Sequence, residues 1–368
     1  TMMLVNEMFN QKGSEISFRI GKPIPWESIA AMDLSKKAVA KLMRKQVYLL
    51  SQKKKKELFK PIENIIHPVR TKLIRKELKA SQLIGKTQDG KYIYLFDYMP
   101  NSSVMREIGR LRELSFRQVQ EGTGNALDID SYDRYYRHLI LWDEDELEII
   151  GSYRIGEAAK ILKKHGEAGL YTHSLFKFNQ SFTPYLEHSI ELGRSFIQPR
   201  YQGKRSLDYL WYGIGAYLYQ HPEIRYLIGP VSLSTSWPEP AQKVIASFYT
   251  ELFGNNKILV DPRLPFDFEP IQEFALFTRV ADEENYKQAY AILKALMDDF
   301  GVKVPILYKQ YVELCQPGGC EFLGFNIDPS FSNCVDALIL VHINTIKEKK
   351  HQRYIESHAT ILSKQNSA

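Results

Sequence analysis

Cysteine is scarce in this chain: three residues in 368, Cys315, Cys320 and Cys334. That excludes a disulfide scaffold, and without a histidine pair at ligand spacing it excludes a zinc ribbon. The three read as buried thiols in a reducing compartment. No uncharged apolar run approaches the ~18 residues a membrane span needs. The start, Thr1 to Val5, has no basic flank and no long apolar core, so it does not read as a signal peptide. There is no internal repeat, and no low-complexity block beyond one lysine run. Hydrophobic residues make up 44% and charged residues 25%, which excludes a disordered or collagen-like chain.

Charge is uneven. The formal net charge is +6, yet residues 1–86 hold 19 Lys or Arg against 7 Asp or Glu, so everything after them is net acidic. The basic quarter includes Lys53 to Lys56. Leu34, Val39, Leu42, Met43 and Val47 recur at roughly helical spacing among its cations, which predicts a basic amphipathic helix near 34–59. Such a helix suits an anionic membrane surface or an acidic protein, or is simply a solvated face. Basic residues interleaved with stacking aromatics are lacking, which argues against nucleic acid.

From Leu83 the texture changes. Tyr92–Phe96 reads as a strand and Val104–Gln120 as a helix. Arg137–Trp142 and Leu147–Arg154 read as a hairpin around the acidic turn 143–146, with Gly151 marking a bulge or a close backbone approach. Ser189–Ile197 and Tyr226–Leu233 read as strands, and Leu207–Tyr219, Pro238–Leu252 and Glu284–Asp299 as helices. Ser206 is expected to cap the first of these helices. Late strands are expected near 304–314 and 336–342. Between strand 189–197 and its helix lies a basic, glycine-containing loop. Such a loop opening a helix can cradle phosphate through backbone N–H groups, and Ile197, Arg200, Gly203, Lys204 and Arg205 are its candidates.

These pieces carry a resemblance. Arg200-Tyr-Gln-Gly203-Lys-Arg205 resembles the phosphate loop of GNAT acyltransferases, Gln/Arg-x-x-Gly-x-Gly/Ala. Arg205 replaces the small last residue, which implies a carrier-protein phosphopantetheine, with its single phosphodiester, rather than free coenzyme A. Arg112-x-x-x-Phe116, Asp130-x-x-Asp133, Gly151-x-x-Arg154 and Glu191-x-x-Arg194 resemble motifs of acyl-homoserine-lactone synthases and ornithine N-acyltransferases, and 304–311 resembles a further motif of the latter. The resemblance implies an α/β (α+β) GNAT-like fold over 83–350, with a mixed, mainly antiparallel sheet flanked by helices. Arg19 to Ile24 resembles the exit strand of PlsC-type O-acyltransferases. That implies a remnant of such a domain over 1–30, a basic helical linker over 31–82 and a tail over 351–368, as in a bifunctional ornithine-lipid synthase cut inside its first domain.

The implied activity is transfer of a long-chain (3-hydroxy)acyl group from acyl carrier protein to the α-amino group of an amino acid, ornithine first, with no tightly bound cofactor. The alternatives are acyl-coenzyme A with glycine or another amine, or a non-catalytic membrane-binding module. The implied location is the inner face of a bacterial inner membrane. Glu191 is the expected general base, or else an ion-pair partner of Arg194; the two share a face only if the strand is bulged. Arg112, Arg154 and Arg194 are candidates for the acceptor carboxylate, or else partners of Asp130 and Asp133. Those carboxylates in turn suit a cationic substrate side chain. Phe116 is expected to line the core or an acyl channel, and His138 and His173 to be structural.

Overall fold

The computed structural model describes residues 13, 15, 19–24, 26–30, 32, 34–50, 58–59, 62–275 and 283–358. The chain divides into two compact units, Thr1–Asn64 and Ile65–Ala368. In the smaller, the helix Lys36–Leu49 is capped by Ser35, whose hydroxyl accepts from the Ala38 N–H. None of its residues is buried, and Met43, Val47 and Tyr48 are exposed beside Lys41, Arg44 and Lys45. Lys53 to Lys56 lie outside the described residues.

The larger unit is built on one eight-stranded sheet. Its members are β1 (Gln82–Lys86), β2 (Tyr92–Asp97), β3 (Arg137–Asp143), β4 (Glu148–Glu157), β6 (Ser189–Ile197), β7 (Tyr226–Leu233), β9 (Cys320–Asp328) and β10 (Cys334–His342). The order is β1-β2-β3-β4-β6-β7-β10-β9, and a small ribbon pairs β5 (Phe176–Phe178) with β8 (Val260–Pro262). Every neighbouring pair is antiparallel except β6–β7. The expected mixed, mainly antiparallel sheet flanked by helices is what forms.

Side-chain alternation assigns the two faces. Leu139, Leu141, Tyr153, Ile155, Ile190 and Leu192 pack with the helices Ser206–Gln220 and Glu239–Phe253. Tyr94, Phe96, Ile140 and Trp142 pack instead with Val104, Ile108 and Leu111 of the helix Ser103–Gln118. Each such apolar side chain, fully buried, contributes ~1.5–3 kcal/mol. The division at 64/65 falls inside the stretch expected as a linker. Thr71–Lys79 is a helix of the larger unit, where Glu77 accepts from the Ser102 hydroxyl (2.6 Å) and from the N–H groups of Ser103 (2.8 Å) and Val104 (3.0 Å). Those bonds satisfy the open N-terminus of the helix Ser103–Gln118. At the other end of the unit, Glu348–Tyr354 is helical and buries Tyr354.

Three local expectations change. Residues 306–314 form a helix, not a strand: Tyr308, Tyr311 and Val312 are buried at helical spacing, and Pro305 stands at the entry. Strand β9 was not anticipated, because Gly324 and a bulge that skips Leu323 interrupt its alternation. Ser206 does not cap. It is the first helical residue, and its hydroxyl donates to the Tyr201 carbonyl at 3.1 Å.

The consequential irregularity lies at the centre of the sheet. β6 and β7 pair at only three positions, Ser189↔Tyr226, Ile190↔Leu227 and Glu191↔Ile228. Gly229 then passes so close to the Leu192 carbonyl that a Cβ would collide with it. Pro230 follows, with no N–H to offer the ladder. On the other side of β6, Ser152↔Phe196 is followed by Arg154↔Gly193, so two residues, Arg194 and Ser195, oppose one, Tyr153. Arg194 occupies this bulge at φ 47°, a left-handed conformation that costs a non-glycine residue ~1–2 kcal/mol. Beyond these points β6 and β7 part.

Candidate active site

The parted strands open a cavity of about 110 Å³. That is room for something like eight water-sized groups at ~10–15 Å³ each. Leu192, Gly193, Arg194 and Ser195 line it from β6, and Pro230, Val231 and Ser232 from β7. Phe116, Glu121, Tyr153, Tyr171, Leu307, Tyr311, Phe331 and Asp336 complete the lining. Phe116 meets Phe331 edge to face at 4.9 Å between centroids. The Arg194 guanidinium lies 4.9 Å from the centre of the Tyr171 ring and 4.7 Å from that of Phe331. Stacking between rings suits arginine, whose planar guanidinium is weakly hydrated.

The bulge decides where Arg194 points. Because Arg194 itself sits in the bulge, Glu191 and Arg194 share the face that carries Arg154, as anticipated for a bulged strand, but they do not pair. Arg194 approaches Asp128 at 3.4 Å and Asp130 at 3.6 Å, and donates to the Tyr171 hydroxyl at 3.3 Å. That hydroxyl donates to Asp328 at 2.6 Å.

Glu191 is not among the residues that line the cavity, and it is only 1% exposed. Its carboxylate accepts from the Tyr136 hydroxyl and from the N–H groups of Tyr171 (3.1 Å) and Thr172 (2.6 Å). Burial raises its carboxyl above the usual range, while the Tyr136 and Thr172 hydrogen bonds pull the other way. The expectation of a base facing substrate is therefore corrected: this carboxylate is walled off and anchors the turn that presents Tyr171.

Arg112, Asp130, Asp133 and Arg154 are also brought together away from the cavity lining. Arg112 donates to Asp133 at 2.8 Å, and Arg154 grips both oxygens of Asp130 at 2.7 Å. Asp133 accepts from the Asp130 N–H at 2.9 Å, and Asp130 accepts from the Asp133 N–H at 3.2 Å. Arg154 lies over the rings of Tyr132, Tyr136 and Tyr171. Burial opposes ionisation of Asp133, but Arg112 and Arg154 outweigh it and hold the carboxyl far below the usual range. The arginines and aspartates are ion-paired with one another, while Arg112 Nε and Arg154 Nε and Nη2 have no hydrogen-bond partner among the described residues. His138 belongs to this network, 3.3 Å from both an Arg112 nitrogen and the Asp133 carbonyl. A guanidinium only donates and a carbonyl only accepts, so the ring is the neutral Nε2–H tautomer. Burial and the Arg112 charge lower its pKa to about 4.

The basic loop leaves β6 at Ile197, opposite Gly151. Gly203 turns it at φ 73°. Arg200 is held by Glu146 and by Glu148 (2.9 Å) of the β3–β4 hairpin. Lys204 lies over the Tyr201 ring and Arg205 over the Tyr209 ring, both exposed.

Two cavity carboxylates escaped the sequence reading. Asp336 was open to notice as the one acid in Cys334–Val341, an otherwise apolar strand. Glu121 had a weaker signal, an acid between a helix end and Gly122-Thr-Gly124. Burial and the Asp336 charge push Glu121 up to about 8, and burial and the Asp328 charge push Asp336 up to about 7. Among the described residues no cluster of His, Cys, Asp and Glu has the form of a metal site.

A sheet opened by a bulge and a proline beside a charged cavity defines the class: residues 111–212 match the family described as "Acetyltransferase (GNAT) domain". A glycine N(alpha)-acyltransferase of Phocaeicola vulgatus is 32% identical over 80% of this chain and 94% of its own length. One from Bacteroides thetaiotaomicron is 33% identical over 82% and 93%. An L-ornithine N(alpha)-acyltransferase of Agrobacterium fabrum is 25% identical over 64% and 74%. The chain belongs to the GNAT acyltransferase family that holds these amino-acid N(alpha)-acyltransferases, and it is an acyltransferase enzyme.

Proposed function

We propose that the chain acylates the α-amino group of glycine, taking a long-chain acyl group from a phosphopantetheine thioester on a carrier protein. One observation carries this reading. The cavity between β6 and β7 sets the Arg194 cation against the acids Glu121 and Asp336, a pattern complementary to the carboxylate and the amine of an amino acid. The carboxylate of the acceptor meets Arg194 and its ammonium meets the acids. The thioester lies along the unpaired edge of β6, where the bulged backbone offers N–H groups to the carbonyl oxygen as it gains charge. A small acceptor suits the volume. Ornithine is less favoured than the sequence suggested, because Asp130 and Asp133, its expected side-chain partners, are held by Arg154 and Arg112. The basic loop is the phosphate site in this reading. With Arg200 tied to Glu148 and Arg205 3.8 Å from Asp208, the exposed Lys204 and Arg205 are the cations that would hold one phosphodiester. The exposed basic helix Lys36–Leu49 is the membrane-facing element, at about 1 kcal/mol per basic group near an anionic surface.

The test is thiol release from 3-hydroxyacyl carrier protein and from the matching acyl-coenzyme A, with glycine, ornithine or no acceptor. Release should depend on glycine, with kcat/KM at least about tenfold above ornithine, and the carrier-protein donor should be preferred. No acceptor-dependent release would remove the enzymatic reading; an ornithine preference would overturn the choice of acceptor.

A further inference from the structure

Glu121 is an acid with no hydrogen-bond donor to its side chain among the described residues. It is 9% exposed and it lines the cavity. Its position is set by the helix before it. Gln120 takes a left-handed φ of 59°, its N–H bonds to the Arg117 carbonyl, and the Glu121 N–H bonds to the Phe116 carbonyl at 2.8 Å. This is a Schellman ending with glutamine at the position usually held by glycine. The turn is held from two further sides: Ser234 donates to the Val119 carbonyl, and Ser332 to the Gly122 carbonyl at 2.8 Å. Ionising an acid in such a place is costly to the fold, which points to a ligand that pairs with its charged form.

We infer that Glu121 is the proton acceptor for the attacking amine, with Asp336 across the cavity as the neighbour that tunes it. This rests on the amino-acid N-acylation reading above. Asp336 is the poorer acceptor because it already takes the Ser232 hydroxyl at 2.7 Å. The charged and titratable groups around Glu121 are Asp336 and Cys334 on β10, Arg194 on β6, Tyr171, Tyr153 on β4, and Tyr308 and Tyr311 of the helix Ile306–Leu314, with Asp328 on β9 behind Tyr171. Burial and Asp336 raise Glu121 to about 8, close to working pH, where a carboxylate can take a proton from an ammonium and release it again. The acceptor ammonium gives one proton to Glu121. Its nitrogen attacks the thioester carbon, forming the C–N bond while the carbonyl electron pair moves to oxygen. The intermediate re-forms C=O and breaks C–S. The second proton of the nitrogen leaves on the thiolate, and the proton on Glu121 passes to solvent.

The full chain, Glu121→Gln and Asp336→Asn are compared between pH 6 and 9 with two acceptors, glycine and aminooxyacetate, whose nitrogen is already neutral. Glu121→Gln should lower kcat with glycine at least about 100-fold and abolish the acidic limb of its pH profile. With aminooxyacetate it should lose less than about tenfold. Its Tm should equal or exceed that of the parent. Asp336→Asn should move the acidic limb to lower pH, because a negative neighbour is gone. Near-normal turnover of Glu121→Gln with an unchanged limb, or equal losses with both acceptors, would overturn the assignment. If Glu121→Gln melts early, the Asp336→Asn limb decides, and an unmoved limb counts against the pair. A parent protein inactive with every amino acid would overturn the underlying acylation reading itself.

Discussion

Two charged regions lie side by side on one face of the sheet, and they are built on opposite principles. Around Arg154, each acid meets a cation: Asp130 and Asp133 are matched to Arg154 and Arg112, and His138 is held neutral between them. In the cavity a few residues away, Glu121 has no hydrogen-bond donor among the described residues and Asp336 has a serine hydroxyl. The difference separates architecture from chemistry. A network whose acids are matched to cations offers a substrate no free carboxylate, although Arg112 Nε and Arg154 Nε and Nη2 have no hydrogen-bond partner among the described residues. An acid in a cavity with no hydrogen-bond donor can instead take a proton or a cation. Arg194 joins the two regions, with Asp130 on one side and the cavity on the other.

The contrast can be broken most sharply at its ion-paired end. Arg154→Met leaves Asp130 and part of Asp133 uncompensated, and should cost ~3–5 kcal/mol in urea unfolding. A loss below about 1 kcal/mol together with a large rise in glycine KM would make Arg154 a substrate ligand after all. Glu191→Gln should come next. It replaces an acceptor of two N–H groups and should cost ~1–3 kcal/mol while leaving the pH profile of kcat in place. A hundredfold loss of kcat at unchanged Tm would restore Glu191 as the base.

The gentlest probe is pH. His138 titrates near 6.5 unfolded and about 4 folded, so the network loses stability as pH falls through that window. Glu121 and Asp336 behave oppositely. Unfolded they ionise near 4, folded at about 8 and about 7, so the cavity loses stability as pH rises from about 4 to 8. Thermal melts should show Glu121→Gln gaining on the parent across that range by up to ~1.4 kcal/mol per pH unit, with a plateau above it. A constant difference would mean that Glu121 is already ionised or paired.

Much of the frame was legible. Ser189–Ile197 and Tyr226–Leu233 form the strands expected of them, because β-branched and aromatic residues between turn signals leave little choice. Gly151 does mark both a bulge and a close approach, the latter to the Phe196 carbonyl. The Ile306–Leu314 helix was misread because a short apolar run has no unambiguous period. The site was harder. The Arg-x-x-x-Phe and Asp-x-x-Asp spacings named arginines and aspartates that the fold brings together, yet spacing does not tell whether two charges face each other or a substrate.

By itself the sequence determined which strands and helices form, since periodicity and turn chemistry act over a few residues. It also singled out the charged residues that gather beneath the central strand. Only the tertiary structure decided which of those charges are spent on one another. That outcome depends on a bulge at Arg194, a proline beside it and the meeting of Glu121 with Asp336 across some 200 residues of chain, and in a low-dielectric interior a few ångströms determine whether a carboxylate is an anchor or an acid–base group.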